Sequence, residues 1–190
     1  GGRTMTASSS QGIMYMLETL PIASSMRLPI VMAVANRAIS GPINIHGDHS
    51  DAMAMRDSGW IQIFSENAQE AYDNTLLGVK IAEKAMLPLA VNLDGFVTSH
   101  SVENLETLDD KGVKMLIGQY VPRENLFDFA NPKTFGPIVL PDVYFEFRKQ
   151  VNDAMNKVDD IFNEVTTKFA KISNRRYDVV ERYRTDDAQK

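Results

Sequence analysis

Cysteine is absent from the 190 residues, and that removes a block of chemistry. No disulfide, thiolate zinc site or cysteine-ligated iron–sulfur cluster can be built within this chain, so any redox centre it serves lies elsewhere. A surplus of positive charge is missing too. Lys and Arg number 20 against 25 Asp and Glu, with a pI near 5.2, which argues against a nucleic-acid partner. The one basic cluster, Arg175, Arg176, Arg182 and Arg184, is interleaved with Asp178, Glu181, Asp186 and Asp187 and reads as a solvated, salt-bridged segment. Apolar runs are broken by Pro, Ser or Arg well before the roughly 20 residues a membrane helix needs. The opening GGRTMTASSSQG lacks the charged-then-apolar pattern of a signal peptide. The expectation is a cytoplasmic chain with no membrane partner. Dinucleotide and P-loop glycine patterns, a GxSxG elbow and an HExxH helix are also missing.

What is present is ordinary for a globular chain, 44% hydrophobic and 24% charged, enough for one sizeable core. A short strand is predicted over residues 3–7. Ser8, Ser9 and Ser10 then offer N-caps for a helix from Gln11, which Pro21 kinks or splits. The continuous apolar run Pro29–Ala35 fits a strand covered on both faces in a parallel sheet. A short helix capped by Asp48 is predicted to Arg56, then a strand at Trp60–Phe64. Asn67 with Glu70 opens a helix to about Lys84 in capping-box fashion, with Asp73 and Asn74 expected on its outer face. Leu87–Leu93 is the next strand. Strand, helix, strand with short joins is the signature of a parallel βαβ unit.

The domain reading that follows is an α/β unit over 1–140, with a surface excursion after 98. One long amphipathic helix is expected over 141–173, packing on this domain or a partner. A linker toward a following domain occupies 174–190. The chain begins inside a predicted sheet and not at a Met, which reads as a segment whose N-terminal part is missing.

In open α/β sheets, ligands bind beyond the carboxyl ends of the strands. Arg37 stands there, directly after the run that ends at Asn36, and before a loop holding Ser40, Gly41, His46, Asp48, His49 and Asp51. Two readings stand together. Arg37 pairs with Asp48 or Asp51 and pins the loop, or its planar guanidinium grips a substrate carboxylate bidentately. Burying an unpaired guanidinium is costly, so a loop carboxylate partner is expected at rest. His46 and His49 with Asp51 have ligand-like spacing, but loop hydrogen bonding accounts for them as well, and no metal is assigned. His100 has no assigned role. Ser9, Ser10 and Gln11, between strand and helix, could meet an anion or serve as caps alone.

Five segments in order, GGRTMTASSSQG, RLPIVMAVANRAISGPINIHGDHSD, RDSGWIQIFSENAQEAYD, VNLDGFVTSH and YRTDDAQ, resemble the alpha subunit of the pyruvate:ferredoxin oxidoreductases. More broadly, they resemble the thiamine-diphosphate-dependent 2-oxoacid:ferredoxin oxidoreductases. The resemblance implies the pyrimidine-binding fold of that family, a parallel sheet with flanking helices, here with a long C-terminal helix added. It implies oxidative decarboxylation of pyruvate to acetyl-CoA and CO2, with coenzyme A as co-substrate and electrons passed to ferredoxin through iron–sulfur clusters in other subunits. Arg37 matches the family's substrate-carboxylate arginine. Ser9, Ser10, Gln11 and Asn36 fall near the thiamine, and Asp48, His49 and Asp51 support the loop. The family's activating glutamate and substrate threonine lie before Gly1. The resemblance also implies that the diphosphate and its Mg2+ are held by a partner that carries the GDG motif, which Gly47-Asp48-His49 and Leu93-Asp94-Gly95 do not match. A branched-chain 2-oxoacid enzyme, or a non-catalytic assembly module using the Val151–Ile172 stripe, are the alternatives.

Overall fold

The computed structural model describes residues 2–187. Its centre is the apolar run seen in the sequence. Ile30–Asn36 forms β2, flanked by β1 (Thr4–Ser8) on one side and β4 (Leu89–Asp94) on the other, with β3 (Ile61–Ser65) outside β4. The order β1-β2-β4-β3 is parallel throughout. Successive side chains of a strand point to opposite faces, and both faces of β2 and β4 are covered. Val31, Leu89 and Val91 enter one core, while Met32, Val34 and Ala90 enter the other. Burial on both faces explains why these strands read as unbroken apolar runs rather than alternating ones.

The first core is roofed by α4 (Ala68–Ala85) and α7 (Val158–Ser173), with α5 (Asp110–Ile117) beside them. Gly78 of α4 allows close approach, since a Cβ there would stand 2.9 Å from Leu89 Cδ2. The second core takes Ile13 of α1 (Gln11–Met16), Leu20 of α2 (Leu20–Ser25), and Met55 and Trp60 around the short α3 (Ser50–Ala54). Trp60 Nε1 donates to Leu20 O at 2.9 Å, so the indole packs without an orphaned donor.

The predicted βαβ unit is β3-α4-β4. Asn67 caps α4 by accepting from Glu70 N at 2.9 Å, and Glu70 turns back to Glu66 N instead of to Asn67 N. Pro21 splits the first helical segment, sitting in the opening turn of α2 where its missing N–H costs nothing.

Three expectations need correction. Asp73 and Asn74 are buried, not outward, because α4 is covered by the sheet on one side and by α7 and the segment after it on another. The helical stretch from 141 is two helices, α6 (Pro141–Met155) and α7, interrupted at Asn156 and Lys157. The apolar stripe runs on across the break because Val151, Ala154 and Met155 pack on the same core as Val158 and Ile161. The stretch after residue 98 also carries α5, capped by Asp109, which accepts from Gly112 N at 2.7 Å. Arg175, assigned to a solvated segment and a linker, makes a bidentate ion pair with buried Asp73, and Tyr177 Oη donates to the same carboxylate at 2.7 Å. No helix among the described residues is long and apolar enough to cross a membrane.

Candidate functional site

Strand ends build the site. β1 and β2 run parallel with Ser8 opposite Val34, two residues before β2 ends at Asn36, so the turn into α1 and the loop after Asn36 emerge at the same end of the sheet. Asp51, fully buried in the first turn of α3, ties them together. Its Oδ2 accepts from Ser10 N at 2.8 Å and Arg37 N at 3.1 Å, and its Oδ1 from Asn36 Nδ2 at 2.9 Å and Ala52 N at 2.7 Å. Four N–H donors around one carboxylate leave it no room for a guanidinium.

Ser10 carries the backbone cost of this junction. Its φ of 47° lies in the left-handed region that L-residues rarely adopt. Ser10 N is held by Asp51, and Ser10 Oγ has two acceptors that share its single proton, Ala38 O at 2.6 Å and Gln11 Oε1 at 2.7 Å. The strain is thus held by bonds to both neighbouring segments. Since Ser10 N is already spent on Asp51, the start of α1 is not a free anion cradle.

Arg37 and Gln11 are brought face to face by these ties. Arg37 Nη2 donates to Gln11 Oε1 at 3.2 Å, and because a guanidinium only donates, the amide atom facing it is the oxygen. The expected loop carboxylate partner is not there. None of the ion pairs among the described residues includes Arg37. Asp51 takes its backbone N–H, and exposed Asp48 is turned to Ser50, whose side chain first and whose N–H at 2.6 Å second hold the Asp48 carboxyl below its ordinary range. Among the described residues, three buried side-chain atoms stay without a hydrogen-bond partner, namely Arg37 Nε, Gln11 Nε2 and Asn36 Oδ1. Native interiors leave few such atoms, and clusters of them mark functional places.

A crevice of about 1280 Å³ opens on the other flank of Asn36, lined by Asp48, His49, Asn92 and Asp94 among others, but by neither Arg37 nor Gln11. Asn36 is the link between the two. Its Nδ2 also donates to Asn92 Oδ1 at 3.1 Å, and Asn92 stands 3.4 Å from Gln62 Oε1, giving a buried amide row across β2, β4 and β3. Asn92 and Gln62 escaped sequence reasoning, although a polar residue inside the apolar LPLAVNL was a signal. Glycines at these strand ends let backbones meet. A Cβ on Gly95 would stand 2.3 Å from Asn36 O, and one on Gly47 would strike Asp94 Oδ1.

The remaining candidates are placed as follows. Ser9 offers its carbonyl to Gly12 N at 2.9 Å and no side chain to the site. His49 packs against Phe64, with ring centroids 5.3 Å apart, while His46 and His100 both pack on Phe96, at 4.9 and 5.2 Å. His46, His49 and Asp51 do not converge. Among the described residues, the acidic side chains that do converge are Glu66, Glu70 and Glu181, within 4.8 Å of one another. Glu70 is held above the ordinary carboxylate range by burial first, and also by the neighbouring carboxylates of Glu66 and Glu181.

Comparison with known proteins places this geometry. The chain is 52% identical over its whole length to pyruvate synthase subunit PorA of Thermotoga maritima, covering 49% of that protein. It is 46% identical to the PorA subunit of Methanocaldococcus jannaschii over 99% of this chain and 49% of the relative. To ketoisovalerate oxidoreductase subunit VorA of Pyrococcus abyssi the identity is 35%, over 99% and 48%. The chain thus spans about half the length of the curated relatives it matches. A solved 2-oxoglutarate:ferredoxin oxidoreductase from Magnetococcus marinus, with 2-oxoglutarate, coenzyme A and succinyl-CoA bound, shares the fold. The TM-score is 0.61 at 21% identity, over 84% of this chain and 33% of that one. The profile of the pyruvate flavodoxin/ferredoxin oxidoreductase, thiamine diphosphate-binding family matches residues 1–167, and the chain belongs to that family.

Proposed function

We propose that this chain supplies the substrate-carboxylate site of a thiamine-diphosphate-dependent 2-oxoacid:ferredoxin oxidoreductase that converts pyruvate to acetyl-CoA and CO2. The observation that carries the reading is Arg37. Its guanidinium stands at the carboxyl end of a central strand, and among the described residues its only side-chain hydrogen bond is to the neutral Gln11 and its buried Nε has no partner. A cation kept free of carboxylates in this way meets an anionic substrate without first breaking an ion pair. Pyruvate is favoured over a branched-chain 2-oxoacid by the gradient of identity, 52% to a pyruvate synthase subunit against 35% to a ketoisovalerate one.

The residues fit one flank of the cofactor, since Asn36 keeps a buried carbonyl oxygen that no donor satisfies. Ser10, in contrast, has its N–H and hydroxyl proton committed within the protein. The crevice beside Asn36 presents Asp48 and Asp94, a poor lining for a diphosphate. The diphosphate and Mg2+ are therefore assigned to a partner subunit, with iron–sulfur clusters, ferredoxin and coenzyme A met elsewhere in a cytoplasmic complex. When bound, the cofactor supplies the electron sink for decarboxylation. This chain's share is to hold and orient the carboxylate. In the complete enzyme, Arg37→Ala raises the KM for pyruvate and lowers kcat/KM about a hundredfold or more, while thiamine diphosphate affinity is kept. Viologen reduction with coenzyme A present measures it. Unchanged kinetics would overturn the assignment in favour of a non-catalytic assembly role.

A further inference from the structure

We propose that Gln11 is a second residue of the carboxylate site, orienting Arg37 through its amide oxygen and donating its amide N–H to the same anion. The proposal rests on the carboxylate reading of Arg37 and adds to it a residue that sets how the anion is held. Three observations carry it. Among the described residues, Gln11 Oε1 is the sole side-chain acceptor of the Arg37 guanidinium. Gln11 Nε2 and Arg37 Nε are both buried and both lack an acceptor. The segments bearing them are locked together at three points, Ser10 N and Arg37 N on Asp51 Oδ2, and Ser10 Oγ on Ala38 O.

The donor count explains the choice of amide. The guanidinium has five N–H donors and spends one Nη2 hydrogen on Gln11, which leaves Nε–H and the second Nη2 hydrogen, beside the two on Nη1, for a planar anion. Gln11 adds a neutral N–H beside them. A carboxylate has about four lone-pair sites for these donors, whereas a neutral ligand of the same shape does not repay the buried donors. Glutamate at position 11 would also orient Arg37, but as an ion pair that occupies the cation before substrate arrives. The neutral amide fixes the geometry and leaves the charge uncommitted, which is preorganisation without competition.

The test uses the complete oxidoreductase complex containing this chain, with Gln11→Glu and Gln11→Met beside Arg37→Ala. Viologen reduction gives kcat and KM for pyruvate, and methyl pyruvate, the neutral ester, serves as a competitor of matching shape. Gln11→Met is expected to raise the KM about tenfold, and Gln11→Glu about tenfold to a hundredfold, with kcat within about twofold of the parent. The inhibition constant of methyl pyruvate and the affinity for thiamine diphosphate stay unchanged. A KM that stays at the parent value in both Gln11 variants while Arg37→Ala raises it overturns the role of Gln11 and leaves the carboxylate reading standing. Equal losses for pyruvate and its ester show that Gln11 only packs, which also overturns the proposal. If Arg37→Ala leaves the KM unchanged, the underlying reading itself falls. Should the Met variant fail to assemble, the near-isosteric Glu variant decides.

Discussion

Asp51 is the residue on which the site's geometry hangs, and its substitution separates charge from hydrogen bonding. In Asp51→Asn, whichever position the new NH2 takes, it faces two N–H donors: Ser10 and Arg37 on one side, Asn36 and Ala52 on the other. The conservative change therefore leaves two buried donors unpaired, at about 1–3 kcal/mol each. We expect a loss of about 2–5 kcal/mol in Asp51→Asn, read by chemical denaturation, with a rise in KM from the freed Arg37. A loss below about 1 kcal/mol would contradict the bond pattern. At this scale the position of Arg37 is legible in the sequence, because a cation after a buried apolar run is conspicuous and the structure places it directly after β2. Its partner was misassigned, since spacing places Asp51 near Arg37 without saying whether main-chain or side-chain nitrogen reaches it. Gln11 lies 26 positions from Arg37, and no local pattern links them.

Among the elements, the carboxyl ends of β2 and β4 depend on a contact that only glycine permits. Gly95 N donates to Asn36 O at 2.9 Å, and a Cβ at residue 95 would fall 2.3 Å from that same oxygen. Backbone cannot yield as a flexible side chain does, so Gly95→Ala must part the two strand ends. The expected outcome is destabilisation of about 1–3 kcal/mol and, because Asn36 and Arg37 move with the strand, a raised KM for pyruvate. Thermal unfolding and steady-state kinetics check both. The strands themselves were plain in the sequence, because burial on both faces writes an unbroken apolar run. The break at Asn156 was hidden because an apolar stripe keeps its 3–4 residue rhythm when two helices share one core. Asp73 was misread for a related reason. Helical periodicity reports one buried face, and α4 has cover on a second side that comes from residues a hundred positions away.

That distant cover joins the end of the described chain to its centre. Arg175 grips Asp73 through Nε at 2.6 Å and Nη2 at 2.8 Å across 102 positions, and Tyr177 Oη and Gln69 Nε2 also donate to this carboxylate, which has no exposed surface. A long-range tie of this kind closes the α4 and α7 layer and sets where the chain leaves it. Its pH response has a definite sign. Burial, and then the hydrogen bond to Asp73, raise the Tyr177 phenol above its ordinary value of 10.0. A group whose folded value is raised contributes fully below the unfolded value and loses that contribution as pH climbs past it. Unfolding free energy should therefore fall above about pH 10 in the parent. Tyr177→Phe, lacking the ionising hydroxyl, should lose about 1 kcal/mol at neutral pH and show a flatter alkaline limb. Because Arg175 still pairs with Asp73, the variant stays folded, which keeps the comparison interpretable. Urea unfolding of both proteins from pH 8 to about pH 11 measures it, and parallel alkaline limbs would show that the phenol does not couple to folding.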